Sequence, residues 1–138
     1  QRRSHTKKTW PLVWSNTICG HPALHETNVD AAKRRLAYEL GMRAAHLEEV
    51  APYRYRFVHD GVMENEICPI LVGFSNDESK PNPEEVEAVR RVAWPEFLQE
   101  LDVQEGSYSE WCVEEARVLE SAPRFHELLE HREDHFHA

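Results

Sequence analysis

Long apolar runs are missing from this chain: no window of its 138 residues approaches the roughly 20 apolar side chains that a membrane-spanning helix needs. The first residues are polar and basic with no apolar stretch behind them, so no secretory signal is expected. Cysteine is sparse and odd in number; Cys19, Cys68 and Cys112 show no C-x-x-C spacing, which points to a reduced, cytoplasmic compartment. Positive charge is short as well. A formal net charge of −9 argues against a nucleic-acid surface, because neutralising a phosphate backbone needs a concentrated basic face. Internal repeats are absent. What is left is one soluble domain, large enough for a real core without disulfides, and with no membrane partner. Nothing in the pattern fixes an oligomeric state.

Within this acidic chain, positive charge gathers at Arg2, Arg3, Lys7, Lys8, Arg34 and Arg35. Such a local reversal suits a small polyanion, although surface basic residues are commonly just solvated. Around Pro11, residues Trp10, Val13, Trp14 and Ile18 read as a loop and a short buried strand leading into Gly20. A helix follows, capped by Thr27 or Asn28, with Ala32, Leu36 and Leu40 as its buried stripe and Gly41 as its left-handed stop. Arg34, Arg35 and Glu39 then sit beside the stripe, where they can face a cleft. Residues 53–58 and 64–74 read as strands joined by a hairpin at Asp60-Gly61. After a Ser/Asn/Pro-rich linker over 75–83, residues 86–94 predict a strand. Pro95 suits the first turn of a helix ending near Asp102. From Tyr108 the pattern is helical, broken at Pro123, and 123–138 is a polar tail whose His-rich end is expected to fray. The class predicted is α/β (α+β), a mixed sheet with helices against it, in a single domain covering 1–138.

Glu64 and Glu66 are one residue apart on a predicted strand, so their side chains share a face; two like charges that close call for a cation or a proton. The plain alternative is a solvated strand face, weakened by the apolar neighbours Met63, Ile67 and Ile70. Cys19 and His21 have the same spacing just before the helix. Each alone reads as structural, the Cys as a small core residue and the His as a hydrogen-bonded one.

Gly20, Glu26, Arg34, Leu36, Glu39, Gly41 and Met42 fit the template G-x5-E-x7-R-E-U-x-E-E-x-G-U, the Nudix box. Arg35 and Tyr38 stand where hydrolases of that superfamily carry glutamates. The carboxylate cluster that activates water is therefore incomplete, so diphosphate binding is expected to survive and diphosphate hydrolysis to be lost. Together with TWPLVWSNTICGHP, RRLAYELG, YRYRF and ENEICP, the altered box resembles the type 1 isopentenyl-diphosphate isomerase family, from Arg2 to about Trp111.

That resemblance implies a Nudix-like α/β/α fold and an isomerase interconverting isopentenyl and dimethylallyl diphosphates in isoprenoid biosynthesis. It implies an acid/base pair at Cys19 and Glu66 with Tyr55 assisting Glu66. It implies a divalent metal site (Mn²⁺, Zn²⁺ or Mg²⁺) at His21, Glu64 and Glu66, and a Mg²⁺ held with the substrate by Glu39 and the backbone carbonyl of Cys19. Diphosphate contacts fall to Arg3, Lys7 and Arg35, with Lys8 a weaker candidate. Trp111 matches an aromatic whose face can meet a carbocation, although a Trp on an apolar helix stripe is core by default. Members of the family also have an upstream segment that supplies strands, two further histidines and a lysine; His5 and His25 match none of these positions. The expectation is an N-terminally shortened relative with weak metal affinity and reduced activity. The competing readings are a Nudix hydrolase of another diphosphate and a non-catalytic diphosphate-binding remnant.

Overall fold

The computed structural model describes residues 1–18, 20–103 and 107–136; for residues 55, 57, 59 and 64–68 it describes the backbone alone. In chain order the elements are β1 (Arg2–Arg3), α1 (Asn28–Leu40), β2 (His46–His59), β3 (Val62–Phe74), β4 (Val86–Ala88), α2 (Trp94–Val103), α3 (Glu110–Glu120) and α4 (Pro123–Glu130). A 3-10 turn, Arg132–His135, closes the described chain. Strands lie on both sides of α1 in the chain and further helices follow toward the C-terminus, as the sequence predicts, and the class is mixed α/β. Among the described residues, no helix is long and apolar enough to cross a membrane.

The strands form two antiparallel pairs, β1 with β4 and β2 with β3. Trp14 adds isolated bridges to Arg2 and Tyr108, so the strand predicted before Gly20 is reduced to a single bridging residue. Positive φ at Trp10 and Leu12 (46° and 60°) marks the loop predicted around Pro11. Pairing in β2 and β3 extends past the ranges predicted for both. Asp60 and Gly61 take φ of 50° and 78°, the geometry of a two-residue hairpin whose twist matches its strands. The strand predicted over 86–94 stops at Ala88.

Helix α1 forms as read. Thr27 Oγ1 accepts from the Asp30 N–H at 3.1 Å. At the other end Gly41 (φ 62°) donates to the Ala37 carbonyl and Met42 to the Leu36 carbonyl, a Schellman closure. The buried positions are Ala31, Leu36, Glu39 and Leu40. Ala31, not Ala32, thus completes the stripe, and the helix is turned enough to bury a carboxylate as well. The linker then docks on the helix end: Lys80 N–H donates to the Leu40 carbonyl (2.6 Å) and Asn82 N–H to the Glu39 carbonyl (2.8 Å). Carbonyls that a helix terminus leaves unpaired are satisfied in this way, and the linker runs from β3 past the end of α1 into β4.

Two apolar clusters flank these elements. Leu36, Leu40 and Val86 are buried together under Ile18, Met42, Ala44 and Val89. Trp10 and Trp111 meet edge to face at 5.1 Å, packed by Val13 and Tyr53. The stretch expected to fray is ordered as far as Phe136. Phe125 and Leu128 of α4 are buried, and the His135 ring lies on Phe74 at 5.2 Å and against His46 at 4.5 Å. An amphipathic turn after Pro123, followed by rings able to stack, outweighs the polar composition there.

Candidate active site

The pairing of β1 with β4 (Arg3 opposite Val86) brings the basic N-terminal segment beside the end of α1. The Ser4 N–H donates to the Glu85 carbonyl at 3.1 Å. Glu85 Oε2 accepts from Lys7 Nζ at 2.5 Å and lies 3.5 Å from Arg35 Nη2. One turn along α1, Arg35 Nε donates to Glu39 Oε2 at 3.2 Å, while Gln1 Nε2 donates to Glu39 Oε1 at 3.1 Å. Glu39 is 3% exposed; a carboxylate that deep is tolerable as an anion because cationic and polar donors meet it. Arg35 also lies over the Tyr38 ring, 5.1 Å from its centroid. The aliphatic part of Arg35 crosses Gly20 so closely that a Cβ there would stand 2.9 Å from Arg35 Cγ.

The loop before α1 is fixed by Arg34, which donates to both Glu26 oxygens at 3.0 Å and to the His21 carbonyl at 3.1 Å. Glu26 also accepts from the Ala23 N–H. The Arg34 hydrogen bond, ahead of that backbone donor, holds the Glu26 carboxyl below the usual carboxylate range. This tie is what the template's Glu and Arg do here: they shape the turn that carries His21. Gly20, His21 and Arg35 line a cavity of about 590 Å³ whose walls also include Ile18, Cys112 and Glu115.

Arg3 takes a separate station. Its guanidinium donates to the Thr9 carbonyl (2.9 Å), Thr9 Oγ1 and the Trp10 carbonyl, and lies 5.8 Å from the Trp111 ring centroid. Trp111 is 4% exposed, and its Nε1–H donates to Asn16 Oδ1 at 3.2 Å. The structure thus brings Lys7, Arg35 and Glu39 into one polar cluster and pairs Arg3 with Trp111. Cys19 and the side chains of Tyr55, Glu64 and Glu66 lie outside the described residues. The backbone register is described, and in it Tyr55 stands opposite Glu66 and Phe57 opposite Glu64.

Among the described residues, no three His, Cys, Asp or Glu side chains form a group able to hold a metal ion. Glu39 nonetheless offers a carboxylate oxygen beside Arg35, and His21 an imidazole at the cavity lining, donor types that suit divalent ions.

Sequence reasoning missed three residues. Glu85 sits in the acidic run PNPEEVEAV, where nothing separates a buried bridging carboxylate from a solvated one. Asn16 was read only as part of a longer motif. Glu115 is 9% exposed on α3, and burial pushes its carboxyl up to about 7; a helix face carrying Trp111, Cys112 and Ala116 was the available signal.

This architecture, a helix bearing an altered G-x5-E-x7-R box against strands and a cationic cleft, is that of a Nudix domain, and the NUDIX domain family matches residues 1–112. Relatives are isopentenyl-diphosphate Delta-isomerases: one from Saccharopolyspora erythraea is 44% identical over 120 residues, one from Shigella boydii 39% over 128, and one from Escherichia coli 37% over 125. The matches cover 86%, 88% and 89% of this chain, and 62%, 70% and 69% of those relatives. The chain therefore belongs to the isopentenyl-diphosphate Delta-isomerase family of Nudix proteins, enzymes of isoprenoid biosynthesis. The name of these relatives is that of enzymes acting on a small diphosphate.

Proposed function

We propose that this chain is a single isomerase domain, residues 1–138, that interconverts isopentenyl and dimethylallyl diphosphates in the cytoplasm. The observation that carries the reading is the convergence of Lys7 and Arg35 on Glu85, beside the buried Glu39. Both residues standing where hydrolases carry glutamates are used otherwise, Arg35 as a cation of this cluster and Tyr38 as its ring support.

Moving the double bond from the 3,4 to the 2,3 position requires protonating an unactivated alkene and removing a proton from the neighbouring carbon. An alkene is a very weak base, so the acid must be strong and water kept away from the tertiary cation. In this reading the Glu66 carboxyl, oriented by the Tyr55 hydroxyl, gives its proton to the terminal carbon, and the Cys19 thiolate takes one from C2. The register pairing of Tyr55 with Glu66 favours their acting together. Trp111 offers its ring to the cation, and Arg3 lies near that ring. Lys7, Arg35 and Arg3 hold the remote diphosphate, so that binding there positions the apolar end. Glu39 and the Cys19 carbonyl would hold Mg²⁺, and His21, Glu64 and Glu66 a second divalent ion (Mn²⁺, Zn²⁺ or Mg²⁺). Such ions neutralise diphosphate and clustered carboxylate charge when bound.

Incubation with isopentenyl diphosphate and divalent metal, followed by product analysis, tests the reading. Dimethylallyl diphosphate is the expected product, lost in both Cys19→Ala and Glu66→Gln. Released phosphate would indicate a hydrolase instead, and near-normal isomerisation by either variant would remove the acid/base assignment.

A further inference from the structure

Glu85 is the residue through which the two cations meet. Lys7 Nζ and Arg35 Nη2 both approach the same oxygen, Oε2, so they stand at most about 6 Å apart, a separation at which like charges in a partly dry site repel appreciably. The three side chains are largely withdrawn from water: Lys7 is 25% exposed, Arg35 20% and Glu85 16%. Without a negative charge between them, Arg35 would keep Glu39 and the Tyr38 ring as anchors, but the bridge that draws Lys7 toward it would be lost. Glu39 accepts from Arg35 and Gln1 and so secures the Arg35 side of the cluster.

The backbone of Glu85 is fixed on three sides. Its carbonyl accepts from Ser4, its N–H donates to the Asn82 carbonyl at 3.0 Å, and Asn82 is itself held on the Glu39 carbonyl of α1. The carboxylate is thus placed by the junction of β4, the linker and the helix end. It is not a surface side chain that has swung in.

We propose that Glu85 is a positioning residue for the substrate diphosphate: its carboxylate holds the Lys7 and Arg35 charges side by side before substrate arrives. This rests on the reading of Lys7 and Arg35 as diphosphate-binding residues. Glu85 lies behind the two cations and does not touch the ligand; it holds the pair in a convergent geometry. Its anionic charge weakens the long-range attraction for diphosphate, but the fixed geometry outweighs that loss, because ordering flexible side chains is a main cost of binding.

Inorganic pyrophosphate, titrated calorimetrically into the full chain with Mg²⁺, is the probe. Glu85→Gln is expected to bind it roughly tenfold more weakly, and Glu85→Asp, which keeps the charge one methylene shorter, to recover part of the loss. In a Lys7→Met background Glu85→Gln should change affinity little, since residues acting through one contact are non-additive; a purely structural role would leave the two effects independent. With isopentenyl diphosphate the change should fall on KM more than on kcat. Pyrophosphate binding by Glu85→Gln that equals or exceeds that of the parent, while Lys7→Met and Arg35→Met weaken it, would overturn this inference and leave the diphosphate reading standing. Unchanged binding in Lys7→Met and Arg35→Met would overturn both. If Glu85→Gln does not fold, Glu85→Asp decides alone: affinity equal to the parent's would count against a distance-dependent clamp, and a several-fold loss would support it.

Discussion

Arg35 and Tyr38 touch each other: the guanidinium carbon lies 5.1 Å from the ring centroid. They face one another because residues three apart on a helix are neighbours. The two departures from the hydrolase pattern are therefore one arrangement, in which an aromatic ring supports a cation where two carboxylates would otherwise gather.

Removing the ring should loosen Arg35. A contact of this kind at a half-exposed site contributes about 0.5–1 kcal/mol, so Tyr38→Ala should weaken pyrophosphate binding by about two- to fivefold. Tyr38→Phe should bind as the parent does. Isothermal titration of both variants checks this. Arg35→Glu should lose diphosphate binding without gaining hydrolysis, measured as phosphate release.

Gly20 makes a second prediction that separates binding from stability. A methyl group there would meet Arg35 Cγ and Nε at 2.9 Å, both in a side chain that can move. Gly20→Ala should keep its thermal midpoint within a few degrees and lose diphosphate affinity, because Arg35 must leave its place between Glu39 and Glu85. A large fall in midpoint with unchanged affinity would contradict this.

Glu115 shapes the stability curve between the ordinary glutamate range and about pH 7. Burial raises its folded pKa to about 7, above the roughly 4.3 of an exposed glutamate. The folded state then binds the extra proton, so stability is highest below the lower value, declines as pH rises through the interval and is flat above about 7. Glu115→Gln should be more stable than the parent at pH 8 by about 3–4 kcal/mol and similar to it at pH 4. Urea unfolding at the two pH values measures the difference.

Glu48 works in the opposite direction. Its hydrogen bonds with Arg124, and then with His46, bring its carboxyl down to about 2. A lowered folded value gives stability that is complete above the ordinary glutamate range and is lost as pH falls toward 2. Glu48→Gln should flatten the acid limb of the unfolding curve between pH 5 and 2, and Arg124→Met should flatten most of it, leaving the smaller share owed to His46.

Helix α1 was legible down to its caps because capping, periodicity and the glycine stop are local physics, and the hairpin turn likewise announced itself at Asp60-Gly61. The site was legible in parts. The box and its neighbours name Lys7, Arg35 and Glu39, and the structure places those three together. Arg3 was grouped with them by sequence but stands over Trp111, a difference set by the left-handed turn at Trp10 and Leu12. Glu85 was illegible because a carboxylate in an acidic linker acquires its role only when the linker docks on the end of α1. The strand predicted over 86–94 failed for a related reason: its apolar residues cover the Leu36–Leu40 cluster and the cavity wall, so burial there does not require a ladder.

The β2–β3 ladder carries an irregularity between Glu49 and Ala51, where Val50 has no cross-strand partner. Had Val50 been paired, counting on from His46 and Phe74 would set Tyr55 against Asn65 and demand three residues at the tip. One skipped position and a two-residue turn must agree for Tyr55 and Glu66 to stand opposite each other. The exposed tip at Asp60-Gly61, which looks open to insertion, is thus bound to the register five residues back along each strand. Lengthening it by a single residue would invite the strands to slide and set Asn65 where Glu66 now faces Tyr55.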